Sequence, residues 1–185
     1  MLLKKIIKKI PINIQKINIK ELSLDSRQVK KNYLFFAVKG TTSNGENYII
    51  DAIKKGASVI VCETNYKIKN KKIPIIKVKN IKKIIADACA SFYAVKPKNI
   101  IAVTGTNGKS SVVEFYHQIL TAQKIPVASL GTLGIKSNNK VTKTNLTTLD
   151  IISLHRELAK IKTQGIDNVL LEASSHGLEQ GRLNG

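Results

Sequence analysis

The stretch Val103-Thr104-Gly105-Thr106-Asn107-Gly108-Lys109-Ser110-Ser111 lies between an apolar run, Asn99 to Val103, and an amphipathic run over residues 111–123. A strand that feeds a glycine-rich turn and then opens a helix is the setting of a phosphate-binding loop. Glycines let the backbone approach a phosphate, the N–H groups at the helix start supply fixed donors, and Lys109 supplies charge. The Ser110 hydroxyl can hold Mg²⁺. Val103 stands where the longer pattern G-x-x-x-x-G-K-[ST] has its first glycine, so the match is to a shorter form, G-T-N-G-K-S, beginning at Gly105. The expected ligand is a nucleoside triphosphate with its magnesium, bound by Gly105, Thr106, Asn107, Gly108, Lys109, Ser110 and Ser111. A tight strand-to-helix turn with an exposed lysine is the alternative.

Outward from this loop, the pattern gives a helix over 111–123, a strand over 126–130, a Gly/Thr/Asn-rich stretch over 131–148, a helix over 149–163 and a strand over 168–172. That alternation predicts a parallel, doubly wound sheet of three strands at most. The chain stops at Arg182-Leu183-Asn184-Gly185 without a closing element, so the expectation is the first half of an α/β nucleotide-binding domain, truncated at its C-terminus. Upstream, strands over 21–24, 33–38, 58–62 and 73–78 and helices over 48–55 and 81–93 read as a small α/β domain. Lys96-Pro97-Lys98 reads as a linker. The expected domains are 1–96 and 97–185.

With 185 residues, 43% of them hydrophobic, the chain can bury a sizeable core. Cys62 and Cys89 lie far apart in apolar surroundings without metal-ligand spacing, and read as buried thiols of a reducing compartment, the cytoplasm. Leu2, Leu3, Ile6, Ile7 and Ile10 recur at helical spacing among Lys4, Lys5, Lys8 and Lys9, which predicts a helix packed on its own domain. The interleaved lysines rule out the apolar core of a signal peptide or membrane span, so no integral membrane contact is expected; a membrane-surface helix is the rival reading. A net charge of +19 invites a nucleic-acid partner. Almost all of that charge is lysine spread along the chain, with no arginine stripe among aromatics, so no nucleic-acid partner is expected. A basic nucleic-acid or membrane-surface module stands as the non-enzymatic alternative. Only Arg27, Arg156 and Arg182 are arginines, the better group for bidentate contact with carboxylate or phosphate.

In Asn168-Val-Leu-Leu-Glu172 an apolar strand ends in a carboxylate, and the carboxyl end of a parallel strand faces the crevice of the phosphate loop. Glu172 and Ser110 together would form a sensible partial shell for Mg²⁺, which takes few protein ligands plus waters and phosphates. A strand-end surface acid is the bland reading. Ser174, Ser175, His176 and Gly177 form a polar turn at the same edge, where His176 is a candidate for a second metal or a phosphoryl oxygen, or else a hydrogen-bonded turn residue. His117 and His155 read as structural. Gly131-Thr-Leu-Gly134 and Thr147-Thr148 suit phosphate or sugar contacts, and Asp25-Ser26-Arg27 suits an Asx-type turn; alone, both patterns are weak.

Several segments resemble the Mur ligases. These are Thr104-Gly-Thr-Asn-Gly-Lys-Ser, Leu130-Gly-Thr-Leu-Gly, Leu146-Thr-Thr and above all Glu172-Ala-Ser-Ser-His-Gly-Leu-Glu-Gln-Gly-Arg182. Leu24-Asp-Ser-Arg27, Leu34-Phe-Phe-Ala-Val-Lys-Gly40 and Asn44-Gly-Glu-Asn-Tyr-Ile49 resemble the family's uridine-nucleotide domain. Within the family, the segment around His176 resembles the members that add the third amino acid of the peptidoglycan stem. The resemblance implies an ATP- and Mg²⁺-dependent amide ligase that acts on a UDP-N-acetylmuramoyl-dipeptide and an amino acid, as a monomer. It implies UDP contacts from Leu24, Ser26, Arg27, Thr41, Thr42 and Ser43, and muramoyl-peptide contacts from Thr147, Thr148, Ser174, Gln180 and Arg182. Lys109, Asn107 and His176 would be catalytic, and Ser110, Glu172 and His176 would hold metal. Ser110-Ser111 replaces a common Thr-Thr, Ala173 a common Val and Asn44 a common Asp; Leu146 stands where some members bind substrate with asparagine, and that contact is not carried over. The family's carboxylated lysine, adenine pocket and amino-acid-binding domain have no counterpart within these residues. A folylpolyglutamate synthetase, similar around the phosphate loop, is disfavoured by the Asp25-Ser26-Arg27 domain and the His176 segment.

Overall fold

The computed structural model describes residues 1–40, 43–63, 73–137, 140–144 and 147–185. They form two compact α/β units, Met1–Phe92 together with Gly185 and Tyr93–Asn184.

The predicted N-terminal helix is a single turn, α1 (Leu3–Ile6), followed by a 3-10 turn over Ile12–Ile14. Ile7 is extended and Lys9 takes a left-handed φ of 57°, so the helix cannot continue toward Pro11. The sorting of side chains survives this correction. Leu3, Ile6, Ile7 and Ile10 are buried and the intervening lysines are exposed, so the face a membrane-surface helix needs is already covered. No helix among the described residues is long and apolar enough to cross a membrane.

In this unit β1 (Glu21–Ser23), β2 (Tyr33–Phe36), β3 (Ala57–Glu63) and β4 (Ile75–Val78) lie side by side in chain order, all parallel. Between β2 and β3 the chain crosses over through α2 (Ile49–Lys54). The strand period of two sends Phe35, Ile60 and Cys62 to one face, where they pack with Ile49 and Ala52 of α2. Leu34, Phe36, Val59 and Val61 point to the other face and are also fully buried. α3 (Ile81–Phe92) buries Ile81, Ile85, Ala88 and Cys89 and packs on α1 and β3.

The second unit has five strands rather than the three expected. β5 (Asn99–Val103), β9 (Asn168–Glu172) and β6 (Val127–Gly131) are parallel, in that spatial order, and β7 (Gly134–Ser137) and β8 (Lys140–Thr142) extend the sheet antiparallel. The hairpin was missed because its strands are short and polar and sit within a stretch whose glycines and threonines read as loop. α4 (Lys109–Ala122) covers one face through Val113, which packs with Val127 and Leu170. α5 (Ile151–Thr163) covers the other through Leu154, Leu158 and Ile161, against Ala128, Leu130, Val169 and Leu171. Its start is fixed by Asp150, which accepts from the N–H groups of Ile152 and Ser153, each at 3.0 Å. Ser174, Ser175, His176 and Gly177, read as a polar turn, open a short helix, α6 (Ser175–Glu179), capped by the Ser174 hydroxyl.

Candidate functional site

β5 delivers its last residue, Val103, to the glycine-rich loop, and α4 begins at Lys109. Gly108 occupies the N-cap with φ 79°, a conformation that L side chains rarely adopt, and no side chain caps the helix. The first N–H groups of a 14-residue helix are thus left to meet an anion. Lys109 folds back over the loop: its Nζ donates to the carbonyls of Gly105 at 2.6 Å and Thr106 at 3.3 Å. Thr106 and Asn107 are exposed at the tip.

Glu172 closes β9 and is 2% exposed. One carboxylate oxygen accepts from the Thr132 N–H at 2.9 Å; the other accepts from the hydroxyls of Thr132 and Ser110, each at 3.0 Å. The sequence-predicted Ser110 and Glu172 are therefore in contact across 62 residues of chain. Gly131 makes room for them, because a Cβ there would come within 2.5 Å of Glu172 Cδ. All of these donors are neutral, and among the described residues no cationic side chain pairs with Glu172. A buried carboxylate with no cationic side chain beside it can take a metal cation as its counter-charge. The fit to Mg²⁺ is good: one carboxylate and one hydroxyl, with other positions left for water and phosphate.

Thr132, expected only as part of the weak Gly131–Gly134 pattern for phosphate or sugar contacts, makes two of these three contacts. The available signal was its place just past the carboxyl end of β6, beside β9 in the sheet. Thr132 Oγ1 also lies 3.1 Å from Thr147 Oγ1, and with its own proton on Glu172 it accepts from the Thr147 hydroxyl.

A second group is centred on the buried Thr148. Its Oγ1 donates to the Glu172 carbonyl at 2.9 Å and accepts from the Ser174 N–H at 3.0 Å, and the Ser174 hydroxyl lies 3.1 Å away. Arg182 donates through one terminal nitrogen to the Thr148 carbonyl at 2.6 Å, and through Nε and the other terminal nitrogen to Gln180 Oε1 at 2.9 and 2.7 Å. With its oxygen so occupied, the Gln180 amide presents its NH₂ to His176 Nε2 at 2.7 Å. That leaves the ring proton on Nδ1, facing Glu179 at 3.8 Å. Thr147, Thr148, Ser174, Gln180 and Arg182 are thus joined into one network with Glu172 and, through Gln180, His176. His176 makes no described contact with Ser110 or Glu172, and its side chain is 61% exposed. Among the described residues no three His, Cys, Asp or Glu side chains cluster to hold a metal.

His155 and His117 have no part in this arrangement. Burial pushes the His155 imidazole below its ordinary pKa against the opposing pull of its hydrogen bond to the Asn184 carbonyl at 3.0 Å; burial lowers His117 as well.

In the first unit Leu24, Ser26, Arg27 and Ser43 line one cavity of about 410 Å³ with Asp25 and Tyr48. Thr41 and Thr42 lie outside the described residues, as does Leu146. Asp25 caps the turn by accepting from the Arg27 N–H at 2.8 Å and is forked by the Arg27 guanidinium, which holds its carboxyl below the usual range. The Arg27 side chain remains 84% exposed at the mouth. Gly45 is required nearby, since a Cβ would sit 2.6 Å from the Val38 carbonyl oxygen.

Two family models match the chain: "Mur ligase family, catalytic domain" over residues 18–93 and "Mur ligase middle domain" over residues 103–185. A UDP-N-acetylmuramoyl-L-alanyl-D-glutamate--2,6-diaminopimelate ligase of Rickettsia bellii is 42% identical over 173 residues, which are 91% of this chain and 35% of the relative. A solved structure with the same enzyme name superposes with a TM-score of 0.84 at 30% identity, covering 100% of this chain and 38% of that one. A MurF ligase of Thermotoga maritima, solved in complex with ADP, shares the fold at a TM-score of 0.58 and 23% identity, over 84% of this chain and 32% of its own. The chain spans about a third of the length of the curated relatives it matches.

Proposed function

Because this chain belongs to the Mur ligase family, we propose that it carries the UDP-substrate and phosphate-binding parts of an ATP-dependent ligase that extends UDP-N-acetylmuramoyl-L-alanyl-D-glutamate by one amino acid. The carrying observation is the phosphate-loop serine in contact with a buried strand-end carboxylate, Ser110 on Glu172 at 3.0 Å. The names of the relatives support 2,6-diaminopimelate as the amine and the cytoplasm suits the reaction.

In this reading the first unit holds the UDP portion against Leu24, Ser26, Arg27 and the turn at 41–43. The loop Gly105–Ser111 holds ATP. Ser110 and Glu172 hold Mg²⁺, which, when bound, screens phosphate charge. Thr147, Thr148, Ser174, Gln180 and Arg182 hold the muramoyl-peptide. Lys109 leaves its two loop carbonyls for the β/γ-phosphates, Asn107 orients the loop tip, and His176 meets a phosphoryl oxygen. A substrate carboxylate oxygen then bonds to the γ-phosphorus as the β–γ bridging P–O bond breaks, giving an acyl phosphate and ADP. The amine attacks the acyl carbon, phosphate leaves and the amine proton passes to solvent. The residues act by placement and charge neutralisation, because a carboxylate is a poor nucleophile toward an anion unless both are shielded and aligned.

Calorimetric titration of the chain tests the reading. Mg·ATP and UDP-N-acetylmuramoyl-dipeptide should each bind, Lys109→Ala should weaken Mg·ATP at least about tenfold, and Lys8→Ala should change neither. Failure of both ligands to bind would overturn it.

A further inference from the structure

Thr132 grips both oxygens of the Glu172 carboxylate, with its N–H on one at 2.9 Å and its hydroxyl on the other at 3.0 Å. Two donors from one residue, one of them backbone, fix the plane of the carboxylate as well as its place. The Ser110 hydroxyl reaches the same oxygen as the Thr132 hydroxyl. An ionised carboxylate only accepts, so both hydroxyl protons point inward, and the direction of the next bond follows: Thr147 donates to Thr132, which donates to Glu172. Thr132 is itself exposed and Glu172 is buried, so this line of hydroxyls runs from the surface to the acid. Thr148, next in sequence to Thr147, holds Glu172 from its other end by donating to the Glu172 carbonyl at 2.9 Å. The carboxylate and the carbonyl of one buried residue are thus both tied to the Thr147-Thr148 pair.

We infer that Thr132 is a positioning residue: it fixes the Glu172 carboxylate for the cation and, through Thr147, makes occupancy of the muramoyl-peptide residues strengthen the binding of Mg·ATP. The reason is order. A threonine side chain left alone exchanges among staggered rotamers. A ligand held by Thr147 and Thr148 fixes the Thr147 side chain and with it the donor to Thr132, so the cation is met by a site whose ordering is already partly done. Hydrogen bonds in a line also polarise one another, so fixing one end strengthens the other. Coupling of binding free energies is reciprocal, and Mg·ATP therefore strengthens the peptide by the same factor. The ligands in this inference rest on the proposed function, whereas the line of hydroxyls stands without them.

Two measurements test it. By calorimetry on the native chain, the Kd for Mg·ATP should be at least about threefold lower with saturating UDP-N-acetylmuramoyl-dipeptide than without it. In Thr132→Val, which keeps the N–H and the shape but loses the hydroxyl, that factor should fall to about one, and Thr132→Ser should restore it. In the ligand-free chain, three-bond NMR couplings should find Thr147 in a single χ1 rotamer in the native and Thr132→Ser proteins, and averaged over rotamers in Thr132→Val. Should Thr132→Val not fold, Thr132→Ala takes its place. Both ligands binding without mutual effect, or a coupling factor that survives loss of the hydroxyl, would overturn the inference and leave the ligase reading intact. Failure of either ligand to bind would instead remove the ligand assignment, and the rotamer comparison then decides: an unchanged Thr147 rotamer in Thr132→Val overturns the positioning role, and an averaged one upholds it.

Discussion

At the level of single residues, Glu172 is where structure and chemistry are hardest to separate, because it is both a buried hub and the proposed cation ligand. Glu172→Gln separates them. The amide keeps the shape and can still meet hydroxyls that rotate, so the unfolding midpoint should move by only a few degrees, while Mg·ATP affinity should fall at least about tenfold, or about 1.4 kcal/mol. An unchanged affinity in calorimetry would make the carboxylate purely structural. Gly131→Ala makes the complementary perturbation. Its Cβ would press on the Glu172 carboxyl, and urea unfolding should show a loss of about 1–3 kcal/mol, as for other overpacked sites. A loss below about 0.5 kcal/mol would mean that the strand shifts freely. That Ser110 and Glu172 come together was legible in the sequence because a glycine-rich strand-to-helix turn and a strand-end acid are local patterns. Gly131 and Thr132 were legible only as a weak glycine- and threonine-rich pattern, and their contact with Glu172 was not, since it comes from β6 lying beside β9, a register that no local window contains.

Among the elements, α5 and the segment after α6 are tied by His155 Nε2 on the Asn184 carbonyl. Burial favours the neutral ring, so its folded pKa lies below the unfolded value of about 6.5. The stabilisation is fully present above about pH 6.5 and is lost as the pH falls through the depressed folded value. Stability measured by urea unfolding should therefore decline on the acid side, with a shallower decline in His155→Leu. A His155 ring that titrates at or above the ordinary value by NMR would refute this. Arg182 ties the same region to Thr148. Arg182→Lys keeps the charge but cannot hold Thr148 and Gln180 together, so muramoyl-dipeptide affinity should drop several-fold with less than a twofold change for Mg·ATP. Equal, small effects in titrations of both ligands would reduce Arg182 to a surface cation. The order of strands and helices around the phosphate loop was legible because apolar runs of four or five residues alternate with amphipathic ones. The β7–β8 hairpin was not, because its pairing is carried by backbone hydrogen bonds rather than by an apolar pattern.

For the molecule as a whole, the excess of lysine is a property of the surface and not of a site. Any retention on DNA should fall steeply and log-linearly with salt, whereas Mg·ATP and UDP-substrate binding should persist at physiological ionic strength. Salt-resistant, sequence-selective DNA binding in a filter assay would favour the nucleic-acid reading instead. The parallel pairing of β5 with β9 also has a consequence in time. Asn99 meets Asn168 across 69 residues, and among the described strands β5 has no other neighbour. During synthesis at about 5–20 residues per second, that strand waits roughly 3 to 14 s for its partner to be made. The β6–β7–β8 meander is assembled from contacts near in sequence and is complete well before then, so it is poised to form early, while the glycine-rich loop after β5 takes shape late. The proposed nucleotide site is thus built at the slow end of folding, where an unpaired apolar strand is most exposed to chaperones and proteases.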